Sequence, residues 1–154
     1  MAEHTATVSW ERGDSRFIDN RYSRAHRWSF DGGMTIAASA SPHVVPLPQS
    51  VAGNVDPEEA FVASLSSCHM LFFLSIAAKQ GIVVDSYRDA AVGYLDRDPA
   101  GRLAMTRVIL RPEATYSGAN VPNVQQIEKI HHEAHGLCFL ANSVRTEVIT
   151  EIVS

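Results

Sequence analysis

The apolar positions of the chain follow two different periods. Thr5 to Trp10 alternates as a strand does. Trp28 to Phe30 and Met34 to Ala40 flank Asp31-Gly32-Gly33, a turn whose glycines supply positive φ, so these segments predict a hairpin. Pro42, Pro46 and Pro48 make Ser41 to Asn54 a loop that cannot join a central strand. The pattern then changes to a long helical run, DPEEAFVASLSSCHMLFFLSIAAKQG. Asp56 is a good N-cap, Pro57 fits the first helical position and Glu59 falls where a capping box places its acid. Lys79 and Gly81 mark the other end, a cation in the last turn and a glycine stop. The helix is therefore predicted from Pro57 to Gln80.

Two long strands should follow, Val83 to Leu95 and Arg102 to Tyr116, joined by a turn through Asp96-Arg97-Asp98-Pro99-Ala100-Gly101. Asn123 caps a second helix with Val124, Ile127, Ile130 and Ala134 on one face and Gly136 at its end. Ser143 to Val153 reads as the closing strand, with Val144, Val148 and Ile152 on one face. The order is strands, helix, strands, helix, strand, which is an α+β arrangement in a single domain, 1–154.

The central helix is apolar on every side, through Phe61, Leu65, Met70, Leu71, Phe72, Phe73, Leu74 and Ile76. One sheet covers one side, so the other must meet something else, and the second subunit of an intertwined homodimer is the simplest cover. Ala60 to Ala78 carries no formal charge and is about long enough to cross a bilayer. It also holds Ser64, Ser66, Ser67, Ser75, Cys68 and His69, and no second such stretch exists, so no membrane partner is expected.

At 154 residues and 45% hydrophobic, the chain has enough apolar material for one real core. A net charge of -4 without a basic stripe argues against nucleic acid as a partner. The opening MAEHTATVSWERGD has no basic-then-apolar leader, which with only two cysteines points to the cytoplasm.

Those two cysteines carry the candidate chemistry. Cys68 lies in the middle of the apolar helix and Cys138 just beyond the second one. Such separate cysteines suit zinc poorly, but suit a thiol that attacks an oxidant and a partner that resolves the product. The thiolate is the nucleophile, so a reactive cysteine needs a local source of positive charge. Cys68 is about 16 Å from the start of its helix, beyond the reach of the helix dipole. The available cations are Arg21, Arg24 and Arg27 in RYSRAHRW. An arginine fork can hold a thiolate and a carboxylate at once, and Glu58 is the candidate carboxylate because the capping box uses Glu59. The plain alternatives are a packed thiol, a first-turn acid at the helix dipole and solvated arginines. His131 and His135 are four apart on one helical face, as zinc ligands can be, but HExxH is absent and a half-exposed helix face accounts for them.

DPEEAFVASLSSC, residues 56–68, and AHGLC with a following Asn, residues 134–142, together resemble the OsmC/Ohr family of thiol-dependent hydroperoxide reductases. The resemblance covers nearly the whole chain. It implies an OsmC-like fold, with antiparallel sheets packed on a long buried central helix in an intertwined homodimer. It implies a peroxidatic Cys68 and a resolving Cys138 that form an intrachain disulfide, an arginine before the second strand and a glutamate ten residues before the first cysteine. Glu58 meets the last requirement; Arg24 is at about the family distance from the Asp31-Gly32 turn, with Arg27 as the alternative. An organic hydroperoxide is the implied substrate, with hydrogen peroxide as a further candidate; no cofactor is required, and an external dithiol, in one branch a lipoyl protein, is the implied reductant. The chain departs from the family at Cys138-Phe139-Leu140-Ala141-Asn142, where a proline usually follows the cysteine, at RYSRAHRW, and at His69.

The sequence thus predicts a cytoplasmic, cofactor-free peroxidase. Its rival is a non-catalytic module of the same fold that binds a small apolar ligand at the dimer interface, with cysteines that are merely buried.

Overall fold

In the computed structural model, which describes residues 1–154, Asp31-Gly32-Gly33 turns the chain as its composition requires. Gly33 takes φ +91, a region closed to most side chains, and its amide donates to the carbonyl of Phe30 at 3.0 Å. The turn joins β2 (His26–Phe30) to β3 (Thr35–Ala38), and β1 (Ala6–Ser9) pairs antiparallel with β2 on its other edge. The proline-rich stretch that follows contains no strand. It is tied back by the Ser39 hydroxyl, which accepts from the amide of Val51 at 2.8 Å, and by Asn54, whose amide group donates to the carbonyl of Ala38 at 3.1 Å. These elements belong to the first of two compact units, Met1–Ala60 and Phe61–Ser154.

The long helix α1 spans Pro57–Lys79 with both predicted ends in place. Asp56 Oδ1 accepts from the amide of Glu59 at 2.9 Å, and Glu59 Oε1 accepts from the amide of Asp56 at 2.8 Å. At the far end Gly81 takes φ +70, while Ile82 N donates to Ala77 O and Gly81 N to Ala78 O, both at 3.0 Å. That pair of bonds is a Schellman stop. By length and composition α1 could cross a membrane.

In the second unit α1 buries Leu65 against Val108 and Leu110, and Phe73, Ile76 and Ala77 against Ile82, Ile130 and Ala134. The strands here are β4 (Val83–Asp89), β5 (Val92–Arg97), β6 (Leu103–Leu110), β7 (Pro112–Ser117) and β8 (Glu147–Thr150). The second helix, α2, spans Val124–Leu137, opened by the predicted Asn123 cap, whose side chain accepts from the amide of Gln126.

Three expectations need correction. Each of the long predicted strands breaks in two, at Ala90-Ala91 and at Arg111, and the halves pair as β4–β7 and β5–β6 in separate sheets. Asp89 explains the break: its Oδ1 takes the amide of Arg111 at 2.6 Å, and Pro112 has no amide to offer a ladder. The sheets are also not all antiparallel, because β8 pairs parallel with β6 from Arg107↔Glu147 to Leu110↔Thr150. A parallel neighbour needs a crossover, and the connection containing α2 supplies it. Finally, the buried face of α2 is Ile130, His131 and Ala134, whereas Val124 is exposed.

Candidate active site

Cys68 and Cys138 are 70 residues apart in sequence and neighbours in the second unit. α1 carries Cys68 on a half-buried face. Cys138 is the C-cap of α2, where its amide donates to the carbonyl of Ala134 at 3.0 Å. A short 3-10 turn, Ala141–Ser143, then folds over it, so that the amide of Ala141 points at Cys138 Sγ at 3.4 Å. Cys138 is 1% exposed and both thiols are free. Burial pushes the Cys138 thiol up from its ordinary pKa, and hydrogen bonding and charge from the adjacent Cys68 side chain add to this, against the pull of the Ala141 amide. The two thiols therefore differ: one reachable, the other buried and held as the neutral thiol.

Cys68 opens onto a cavity of 470 Å³. Leu71 and Phe72 of α1 and Phe139 and Leu140 of the following loop form its apolar lining, with Ser64, Ser67 and Ser75 completing it. Phe72 and Phe139 meet edge to face, with centroids 5.0 Å apart. Of the phenylalanines of α1, Phe72 takes part, Phe73 is wholly buried in the core and Phe61 packs beside Leu65.

Arg24 and Glu58 belong to the first unit. The Arg24 guanidinium lies over the Tyr22 ring, 3.6 Å from its centroid, and donates to the Tyr22 carbonyl. It also donates to the carbonyl of Asn20 at 3.1 Å and to Asn20 Oδ1 at 2.8 Å. Asn20 itself holds the left-handed conformation, φ +61, which asparagine tolerates better than most side chains. The Arg24 backbone is fixed as well. Its amide donates to Gln49 O at 2.7 Å, and its carbonyl lies 2.7 Å from His26 Nδ1. Trp28 donates to His26 Nε2 at 3.1 Å, which leaves Nδ1 as the protonated nitrogen of a neutral ring. Glu58 is half-buried with no hydrogen bond or ion pair of its own, and Arg27 is exposed on β2 opposite Ala37. No ion pair joins Arg24 to Glu58.

Behind Cys68 lies a buried polar pair outside the predicted site. His69 Nε2 and His131 Nδ1 are 2.9 Å apart, and the residues are 1% and 3% exposed. His131 stacks on Phe73 at 4.3 Å, so it is part of the core rather than of a half-exposed helix face. Burial lowers both histidines to about 4; His135 adds to the effect on His69 against the opposing pull of Asp89, and His69 adds to the effect on His131. The available signals were a histidine directly after the cysteine and another on the apolar stripe of α2. No group of three or more His, Cys, Asp or Glu side chains is placed to hold a metal ion.

Residues 50–153 match the family model described as OsmC-like protein. No curated protein matches the chain. The solved structure of an OsmC-like protein of unknown function from Vibrio cholerae is 63% identical, with a TM-score of 0.98 over 99% of this chain and 100% of that one. An OsmC-like protein from Mycoplasma pneumoniae is 14% identical with a TM-score of 0.72, covering 99% of this chain and 96% of its own. An organic hydroperoxide resistance protein from Elizabethkingia anophelis, crystallised with thiocyanate, is 14% identical with a TM-score of 0.68, over 99% of this chain and 94% of that one. With the last two the likeness is one of fold.

Proposed function

This chain belongs to the OsmC-like protein family, and we propose that within it the protein is a thiol-dependent peroxidase acting on organic hydroperoxides. One observation carries the reading: a reachable cysteine lines an apolar cavity and has a buried second cysteine as its neighbour.

The Cys68 thiolate attacks the distal oxygen of the hydroperoxide. The O–O bond breaks, Cys68 becomes a sulfenic acid and the departing alkoxide takes a proton to leave as an alcohol. The Cys138 thiol then condenses with the sulfenic acid: the S–S bond forms, the S–O bond breaks and water leaves. An external dithiol, in this reading a lipoyl protein, returns both cysteines to thiols by exchange. Arg24, held by Asn20 and Tyr22 rather than by Glu58 in the reduced chain, is assigned the role of favouring the thiolate and positioning the peroxide, with Glu58 as its carboxylate partner in the reaction and Arg27 as the alternative. The working form is a cytoplasmic, intertwined homodimer that needs no cofactor. The cavity's apolar lining supports an organic rather than a purely inorganic peroxide.

The same cavity would serve the second reading, a module that binds a small apolar ligand without turnover. Peroxide consumption with dithiothreitol, then with a lipoyl protein, separates the two. The native protein should turn over and Cys68→Ser should not. A folded native protein that leaves organic hydroperoxide unconsumed with either reductant would favour the binding module.

A further inference from the structure

Apart from the contact of Cys68 with Cys138 at its C-cap, the His69–His131 bond is the side-chain hydrogen bond that joins α1 to α2. The core packed around it is apolar: Phe73, Ile76 and Ala77 of α1 with Ile130 and Ala134 of α2. Apolar contacts are non-directional and tolerate a slide, whereas a bond between two ring nitrogens does not. The ring planes of the pair lie within 8° of parallel.

The position of each histidine gives that bond a consequence. His69 directly follows Cys68 on α1. His131 precedes Cys138 by seven residues, about two turns, so the two project from nearly the same side of α2. A slip of one residue in α2 would move Cys138 about 1.5 Å along the helix axis and rotate it by about 100° away from Cys68. We propose that the His69–His131 hydrogen bond is a positioning device for the disulfide step, fixing the register in which α2 presents Cys138 to Cys68. The remaining polar groups around the pair, Asp89 and Tyr87 of β4 and His135 of α2, make no hydrogen bond to either ring.

The inference rests on the peroxidase reading only for the use the disulfide is put to. Its test needs no peroxide. The reduced protein is equilibrated with a reduced and oxidised glutathione couple, and the Cys68–Cys138 disulfide is quantified by alkylation and mass spectrometry. His131→Phe takes the partner from His69 Nε2, the ring's one bonded nitrogen, and the double variant His69→Leu with His131→Leu removes both partners while keeping the core apolar. Both should lower the disulfide equilibrium constant about tenfold or more. His131→Asn, which places a polar atom where Nδ1 was, and His69→Gln, which does so for Nε2, should restore it to within about threefold of native.

Near-UV circular dichroism establishes that each variant is folded. A folded double-Leu variant with the native constant overturns the proposal. So does His131→Asn falling as far as His131→Phe, which remains decisive where the double variant does not fold. Absence of the disulfide in the native chain overturns it too. A native protein that forms the disulfide with glutathione but consumes no hydroperoxide overturns the peroxidase reading and leaves the positioning role standing.

Discussion

The Cys138 thiol lies beside the Cys68 side chain, yet only Cys68 reaches the apolar cavity, while Cys138 is 1% exposed with its pKa raised by burial. Proximity with unequal access assigns an order to the two thiols. Stoichiometric organic hydroperoxide should oxidise Cys68 first, and in Cys138→Ser a sulfenic acid trapped by dimedone should be found on Cys68. In the native chain non-reducing mass spectrometry should find the Cys68–Cys138 peptide, and a dithiol should release it. Oxidation of Cys138 ahead of Cys68 would reverse the assignment.

Arg24 is held from four directions by Asn20, Tyr22, Gln49 and His26, an arrangement unusual for a solvated surface arginine. Arg24→Ala and Arg24→Lys should each slow Cys68 oxidation at least about tenfold, since lysine lacks the planar fork. Asn20→Ala, which removes one of the acceptors, should give an intermediate loss, and Arg27→Ala should change the rate little. Stopped-flow oxidation rates decide among these, and a larger loss at Arg27 would move the role there.

Histidine burial gives the fold a pH dependence with a definite sign. In the folded chain His69 and His131 are lowered to about 4, while in the unfolded chain they return to about 6.5. The unfolded state therefore binds protons first, so stability is fully present above about pH 6.5 and falls as pH drops toward 4. At pH 5 one such histidine costs about 2 kcal/mol. Urea unfolding at pH 7.5 and pH 5 should show this loss in the native protein and a smaller one in the double variant His69→Leu with His131→Leu. Equal losses in the two proteins would remove the histidines from the explanation.

Local chemistry was the legible part of this sequence. Asp56, Glu59 and Gly81 define the ends of α1 because capping depends on residues within one turn of each other. The hairpin at Asp31-Gly32-Gly33 follows for the same reason. The breaks at Ala90-Ala91 and Arg111 were hidden because strand alternation continues through them; Pro112 was the one local mark of a boundary. Their cause, Asp89 accepting from Arg111 22 residues away, is a tertiary event. The same holds for His69 and His131, 62 residues apart, whose pairing leaves no spacing signal at all. The cysteines were found through motif and resemblance, and the structure adds their mutual position and unequal burial.

The cavity beside Cys68 has an apolar rim that needs a cover. α1 leaves Leu71 60% exposed, and the loop after α2 leaves Phe139 71% and Leu140 38% exposed around the same opening. Single exposed apolar side chains are ordinary, but a contiguous group of them around one opening is costly to leave in water. The proposed intertwined homodimer removes that cost by placing a second copy over this face. Light scattering should therefore give twice the chain mass at micromolar concentration. Leu71→Asp places a charge in the middle of the group; burying it without a partner costs far more than the apolar contact it replaces, so this variant should shift the protein toward monomer. Its circular dichroism should stay native, because Leu71 points away from the core formed by Phe73 and Ile76. A native protein that scatters as a folded monomer at that concentration would count against the intertwined form, and a Leu71→Asp protein that remains fully dimeric would place the interface on another face.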